Sequence, residues 1–375
     1  MTDYYVSQAA ETHADLADVF RIQRRGVFFG YIQKNQTPAM PDANRVAELW
    51  ADNQPAYLPA MLKHALNDYK PHIQQSRVLY QALLQEQAVE DLLDAEPYIN
   101  QLGERFELLS TRFDESDRQE IVSVDFDVLE NGELVMEDIW MRISWLSFHE
   151  QDSSLRFRFS FGMEGYEDVS LDYDRQIAAA ELCQRLFPES SLISSDSQLE
   201  AYMQQVLGID EFQYLERIVY FNAPNGGAQF HHDAEKGHLG VVYAQVSGRT
   251  FWLALSKQQL MHEIELFSQQ QENFQEIKLL LNNEELFKQF AVDVNNTEKL
   301  SAMLDDPANE EISVLINQST SFFQQLLNKG YAYVLEPGDV ILLPQASMQA
   351  CAWHSVFCIG DEAGEALSFA IKPVA

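Results

Sequence analysis

Cysteine is scarce in this chain, with only Cys183, Cys351 and Cys358 among 375 residues. So few thiols at such irregular spacing exclude a disulfide framework or a zinc knuckle and suit a reducing compartment. Basic residues are also in short supply, 25 Lys and Arg against 58 Asp and Glu, for a formal net charge of -33. A nucleic acid would meet a repulsive field on such a chain, and no basic patch with interleaved aromatics offsets it. The acidic residues are scattered instead of blocked, which reads as a solvated surface and not as a disordered acidic tail. Long apolar runs are missing, so no membrane span is expected, and the N-terminal MTDYYVSQAAETHAD lacks the basic-then-apolar order of a signal peptide. A cytoplasmic location is the expectation that follows. Internal repeats and low-complexity stretches are likewise missing.

What is present is apolar material, 46% of residues, enough for one large domain or two smaller ones. From about 15 to 101 the spacing predicts helices, in VAELW, YLPAMLKHALNDY and RVLYQALLQEQAVEDLL, punctuated by Pro38, Pro41, Pro55 and Pro71. The period then changes to two. Val122, Val124, Phe126 and Val128 alternate with polar residues up to Asn131-Gly132, a dipeptide that favours a tight hairpin turn. Leu155, Phe157, Phe159 and Phe161 alternate with Arg156, Arg158 and Ser160, so these are antiparallel strands with one wet face. Two helical segments follow, in RQIAAAELCQRLF and SQLEAYMQQVL. Strand patterns return in RIVYFN, VVYAQVSG and RTFWLAL, give way to helices at about 257–329, and resume in YAYVLEPGDVILLP, HSVFCIG and ALSFAIKP. Strands on both sides of a helical insertion must close one sheet system, a barrel or a sandwich.

Histidine is rare too, nine in all, yet three fall in QFHHDAEKGH at 229–238. Side chains two apart on a strand share a face, so His231 and Asp233 point together while His232 points away. Imidazole plus carboxylate on one face is half of the two-His, one-carboxylate set that holds non-haem Fe(II) and leaves coordination positions open. His354 is the candidate for the second imidazole, because it opens a strand soon after EPGDVILLP. His232 and His238 are rival ligands. Tyr220, Asn222 and Gln229 flank the cluster.

Three pieces of this region resemble the cupin-like JmjC-type oxygenases that use Fe(II) and 2-oxoglutarate. They are a turn followed by His231-x-Asp233, the strand after it ending in Gly248-Arg249-Thr250-Phe251-Trp252, and Glu336-Pro337-Gly338-Asp339 with its apolar strand followed by Trp353-His354 and a last strand, Ser368-Phe369-Ala370. The resemblance spans about 217–373. It implies a double-stranded β-helix (cupin/jelly-roll) core at 212–375, interrupted at about 257–329; the apolar spacing itself adds a helical N-terminal region at 1–104, which has no counterpart in the family, and flanking strands and helices at 105–211, for an α+β fold. It implies Fe(II) on His231, Asp233 and His354, 2-oxoglutarate as cosubstrate, and hydroxylation of a protein side chain or a small molecule. The family usually holds the distal carboxylate of 2-oxoglutarate with a lysine, and Thr250 stands there instead. Thr250 is then expected to donate a hydrogen bond to that carboxylate, with Lys257 or Arg249 first, or else Lys372, as the cation, although pleat alternation turns Arg249 to the face opposite Thr250; Tyr220 and Asn222 are further expected cosubstrate contacts. A non-catalytic cupin-like metal-binding or interaction protein is the alternative. The N-terminal helices are expected to cap the site or to pair two copies as a homodimer; neither nucleic acid nor membrane is an expected partner.

Overall fold

The computed structural model describes residues 4–7, 19–34, 38–113, 119–162, 172–235 and 237–374. The first departure from expectation comes at once. Residues 19–34, expected to be helical, form a hairpin of Val19–Arg24 and Val27–Lys34, and Tyr4–Ser7 adds a third strand beside the second. Phe20, Ile22 and Arg24 alternate inward with Val19, Arg21 and Gln23, a period of two that overrides the looser apolar spacing. Arg25 and Gly26 turn the chain with positive φ at both positions, the geometry that matches strand twist in a two-residue loop. The helical part of the N-terminal region therefore starts only at Ala43–Ala51, followed by Leu66–Leu84, Val89–Leu93 and Tyr98–Leu102.

Among the described residues the centre of the molecule is a nine-stranded sheet with the order Ala56–Leu58, Val340–Pro344, Gly240–Gln245, Gly364–Pro373, Phe212–Asn222, Leu155–Phe161, Glu133–Trp145, Glu120–Glu130, Phe106–Arg112. All its pairings are antiparallel. The alternating segments at 120–161 thus extend the sheet, and Asn131-Gly132 makes the expected turn with positive φ at both residues. A second, three-stranded sheet has the order Ala332–Leu335, Thr250–Ser256, Ala352–Cys358.

The two sheets face each other. Val241, Tyr243 and Ile341 of the large sheet share one buried cluster with Trp252, Ala254, Leu335 and Val356 of the small one, and the Tyr243 and Trp252 rings meet edge to face at 4.6 Å. Behind the large sheet lie the N-terminal helices together with Tyr173–Leu186 and Ser197–Leu207, sharing a core with Leu155, Phe157, Phe159, Val219 and Phe221. Behind the small sheet lie six described helices from Lys257–Ser268 to Thr320–Asn328, with the N-terminal hairpin beside them. The first begins cleanly because Ser256 and Gln259 form a reciprocal capping box. No described helix is long and apolar enough to cross a membrane.

Candidate metal centre

Past the strand Phe212–Asn222, the chain crosses from the large sheet to the small one and runs along Ala352–Cys358. Cys358 N donates to Gly226 O at 3.3 Å, Val356 N to Ala228 O at 2.9 Å, and His231 and His354 exchange both of their backbone hydrogen bonds at 3.0 and 2.9 Å. Gly227 permits the approach: a Cβ there would lie 2.3 Å from Val356 O, and its φ is +116°. In an antiparallel ladder a mutually bonded pair puts its side chains on one face. His231 and His354 therefore stand side by side, ring centroids 4.2 Å apart, although 123 positions separate them in the chain (354 − 231).

Asp233, two residues on, reaches both rings. Its carboxylate oxygens lie 3.3 Å from His231 Nε2 and 3.4 Å from His354 Nε2. The three donors lie within 4.8 Å of one another. His231 Nδ1 is 2.7 Å from Gln229 O; a carbonyl only accepts, so Nδ1 carries a proton and Nε2, beside Asp233, is the nitrogen left to bind a metal. Burial, then His231, pushes His354 down to about 3, which keeps that imidazole a neutral donor. Burial pulls His231 down as well, but Asp233 outweighs it and leaves the ring above its ordinary value. Burial pushes Asp233 up, and His354 with His231 override that and hold it below the ordinary carboxylate range. Two imidazole nitrogens and one ionised carboxylate oxygen, converging from one side, are a donor set that fits a divalent transition metal with open positions.

Behind the ligands the rings are clamped. Trp252 stacks on His354 at 5.3 Å and 20°. Arg24 of the N-terminal hairpin is buried, donates to Ala228 O at 2.5 Å, to Asn317 Oδ1 at 3.1 Å and to Ser355 Oγ, and lies over the Phe357 ring at 4.3 Å. The same Asn317 oxygen accepts from Phe230 N at 2.8 Å. The hairpin and the insertion thus both grip the segment that carries His231. Neither Arg24 nor Asn317 stands out in the sequence, because each lies far along the chain from the histidines it supports.

The triad opens onto a cavity of about 470 Å³ lined by the inner faces of both sheets. Tyr220 and Asn222 line it. The expected cations do not. Thr250 is fully buried; its hydroxyl donates to Gln245 Oε1 at 2.7 Å and accepts from Trp252 Nε1 at 2.9 Å. Pleat alternation sends Arg249 to the other face, where it pairs with Glu336 at 3.5 Å and covers Phe20. Lys257 opens a helix that leads away, and it is buried against Asp305 at 2.5 Å. His232, as its parity requires, points away from the triad and packs on Trp353, facing a separate cavity of about 390 Å³ under the insertion. His238 joins Glu216 and Glu235 elsewhere in the first cavity. Arg158 already pairs with Glu216 there at 2.9 Å, and burial with the Glu216 charge pushes Glu235 up to about 7. Glu216 reaches the cavity because it is skipped at a bulge, where Phe369 pairs with Arg217 and Ala370 with Leu215.

No family model and no curated protein matches the sequence. Among solved structures the chain is similar to an oxidoreductase of the 2OG-Fe(II) oxygenase family from Burkholderia pseudomallei, at TM-score 0.32 and 9% identity over 90% of this chain and 93% of that one. It is also similar to YcfD, a ribosomal oxygenase from Escherichia coli in complex with cobalt and succinic acid, at TM-score 0.25 and 11% identity over 69% of this chain. The match spans only 41% of that YcfD chain. Overlaps at this level leave the chemistry to be read from the side chains.

Proposed function

We propose that the chain is an Fe(II)- and 2-oxoglutarate-dependent oxygenase, hydroxylating a protein side chain or a small molecule, on a double-stranded β-helix core. The observation that carries the reading is the convergence of His231, Asp233 and His354 within 4.8 Å at the wall of a cavity between two sheets. The path of the chain supports the core assignment. From 212 onward it visits the large sheet, the small, the large and the small; past the insertion it returns through the small, the large, the small and the large.

In this reading His231 and His354 supply neutral nitrogen donors, Asp233 supplies the anionic oxygen, and Gln229 fixes the tautomer of His231. Ferrous iron and a 2-oxo acid, when bound, supply the oxygen activation that side chains cannot perform. The chain's share is to orient the ligands through Arg24, Asn317 and Trp252 and to shield the far side of His354 with the Trp252 indole. The test is metal analysis of protein purified without chelator, paired with anaerobic absorption after Fe(II) and 2-oxoglutarate are added. The expected result is about one transition metal per chain, lost in Asp233→Ala, and a weak visible charge-transfer band that needs both additions. Full metal retention in Asp233→Ala would remove the triad as the site.

One observation favours a second reading. Thr250 occupies the usual anchor position with its hydroxyl already engaged by Gln245 and Trp252. A non-catalytic metal-binding protein would bind the metal through the same triad and give no band with 2-oxoglutarate.

A further inference from the structure

The cavity that holds the triad contains three arginines, Arg25, Arg156 and Arg158. Two of them are engaged. Arg25 pairs with Asp152 at 3.5 Å and donates to Gly227 O at 3.0 Å, and Arg158 pairs with Glu216 at 2.9 Å. Arg156 has no hydrogen bond or ion pair among the described residues. In a chain where 58 acidic residues face only 25 basic ones, a half-buried guanidinium without an acidic partner is unexpected unless something else fills that role. Its backbone position explains where it looks. Leu155, Phe157 and Phe159 point back into the core behind the sheet, so Arg156 projects from the opposite face into the cavity.

Directly across the sheet, Arg156 pairs in register with Tyr220. Cross-strand neighbours on one face stand about 5 Å apart at their Cβ atoms. The Tyr220 hydroxyl likewise has no hydrogen-bond partner among the described residues. Tyr220, Arg156 and the three triad residues all line the same cavity. Two idle donors, one a five-proton planar fork and one a hydroxyl, thus sit side by side in the cavity that the triad also lines. Guanidinium forks match carboxylates in two parallel hydrogen bonds.

We infer that Arg156 and Tyr220 form the clamp for a remote carboxylate of the molecule that binds at the triad, in place of a cation on the strand Thr250–Ser256. The inference rests on the oxygenase reading for the identity of that molecule, a 2-oxo diacid, but not for the clamp itself. Arg156 is the positive charge and Tyr220 the second donor, and Asn222, which lines the same cavity, donates to Tyr243 at 3.1 Å. A ligand held at both ends would lie in the cavity with one end at the metal and the other at Arg156.

The experiment is calorimetry on the full chain loaded with Mn(II), titrating three probes: 2-oxoglutarate, 2-oxopentanoate, which keeps the chelating end but lacks the distal carboxylate, and glutarate, which has both carboxylates but no oxo group. The parent is expected to prefer 2-oxoglutarate over 2-oxopentanoate by roughly ten-fold to a hundred-fold, the value of one charge-assisted contact. Arg156→Ala should collapse that preference to near unity while leaving 2-oxopentanoate binding intact, Arg156→Lys should keep part of it, and Tyr220→Phe should lower it by a smaller factor. An undiminished preference in Arg156→Ala overturns the clamp. If neither oxo acid binds while glutarate binds the parent and not Arg156→Ala, the clamp stands and the oxygenase reading falls. If none of the three probes binds the parent, both fall.

Discussion

Replacing Arg24 by Met tests whether the metal ligands are positioned from outside the sheets. Met fills the space of the Arg24 stem and keeps apolar contact with Phe357, so the change removes mainly the charged donors. Hydrogen bonds to Ala228 O at 2.5 Å and Asn317 Oδ1 at 3.1 Å disappear, along with the one to Ser355 Oγ. None of the three acceptors is left wholly alone, because Ser355 Oγ still donates to Ala228 O at 3.3 Å and Phe230 N to Asn317 at 2.8 Å. Three charged hydrogen bonds at about 1.5–3 kcal/mol each give about 4.5–9 kcal/mol. Against this stands the cost of burying the guanidinium, which together with repulsion from Arg25 lowers its pKa to about 9. Relief of that cost leaves a net destabilisation of about 2–4 kcal/mol. The informative measurement is a calorimetric Co(II) titration below the melting point, alongside thermal unfolding. Partners that orient metal ligands are worth about ten-fold to a hundred-fold in metal affinity, and Arg24→Met is expected to lose that much. A variant that melts earlier yet binds Co(II) within about three-fold of the parent would show that Arg24 braces the fold and does not position His231.

Two further outcomes follow from buried polar groups away from the ligands. Thr250→Val removes the hydroxyl that links Gln245 and Trp252; it should cost about 1–3 kcal/mol by thermal or denaturant unfolding and leave 2-oxoglutarate affinity unchanged, and a large loss of affinity would return the anchor to Thr250. Glu365 is buried beside Glu189 with Ser76 Oγ donating to it at 2.7 Å, and burial first, then the Glu189 charge, raises it well above its ordinary value. The folded state therefore holds a proton that the unfolded state releases above the ordinary carboxyl pKa of 4.5, so this contribution is fully present below that pH and is lost as pH rises toward the raised value. Glu365→Gln should flatten that decline in a pH series of unfolding free energies, and an unchanged slope would assign it to other groups.

The strands with clean alternation were legible in advance because one side of each is buried against helices, which forces a period of two. That holds for Leu155–Phe161 and for Glu120–Glu130 with its Asn131-Gly132 turn. The hairpin at 19–34 escaped because its eight- and six-residue strands contain enough apolar residues three and four apart to satisfy a helical template as well. Ala56–Leu58 is only three residues long, too short to show any period. His231 and Asp233 could be paired by parity alone, and His354 by its place after an apolar strand, since both depend on local backbone geometry. The supports could not: Arg24 and Asn317 are 293 positions apart, and their meeting depends on how the hairpin and the insertion pack on the small sheet.

The missing anchor shows the same limit from the other side. Arg249 and Lys257 were the nearest cations along the chain to Thr250, but closeness in sequence at a strand end decides little. One residue reverses the face, which carried Arg249 outward, and one turn of helix redirects the chain, which carried Lys257 to Asp305. What a cavity needs is a cation on its wall, and the wall is set by sheet order. Arg156 lies on a strand whose polar face looked solvated from the sequence, because alternation tells which side is not core but not what that side faces. Pairing of Leu155–Phe161 with Phe212–Asn222 places that face next to Tyr220, inside the space the triad shares. A wet face beside the strand Phe212–Asn222 is therefore where a cation for a ligand at the triad can sit without disturbing the triad, since the two sets of residues hang from opposite sheets.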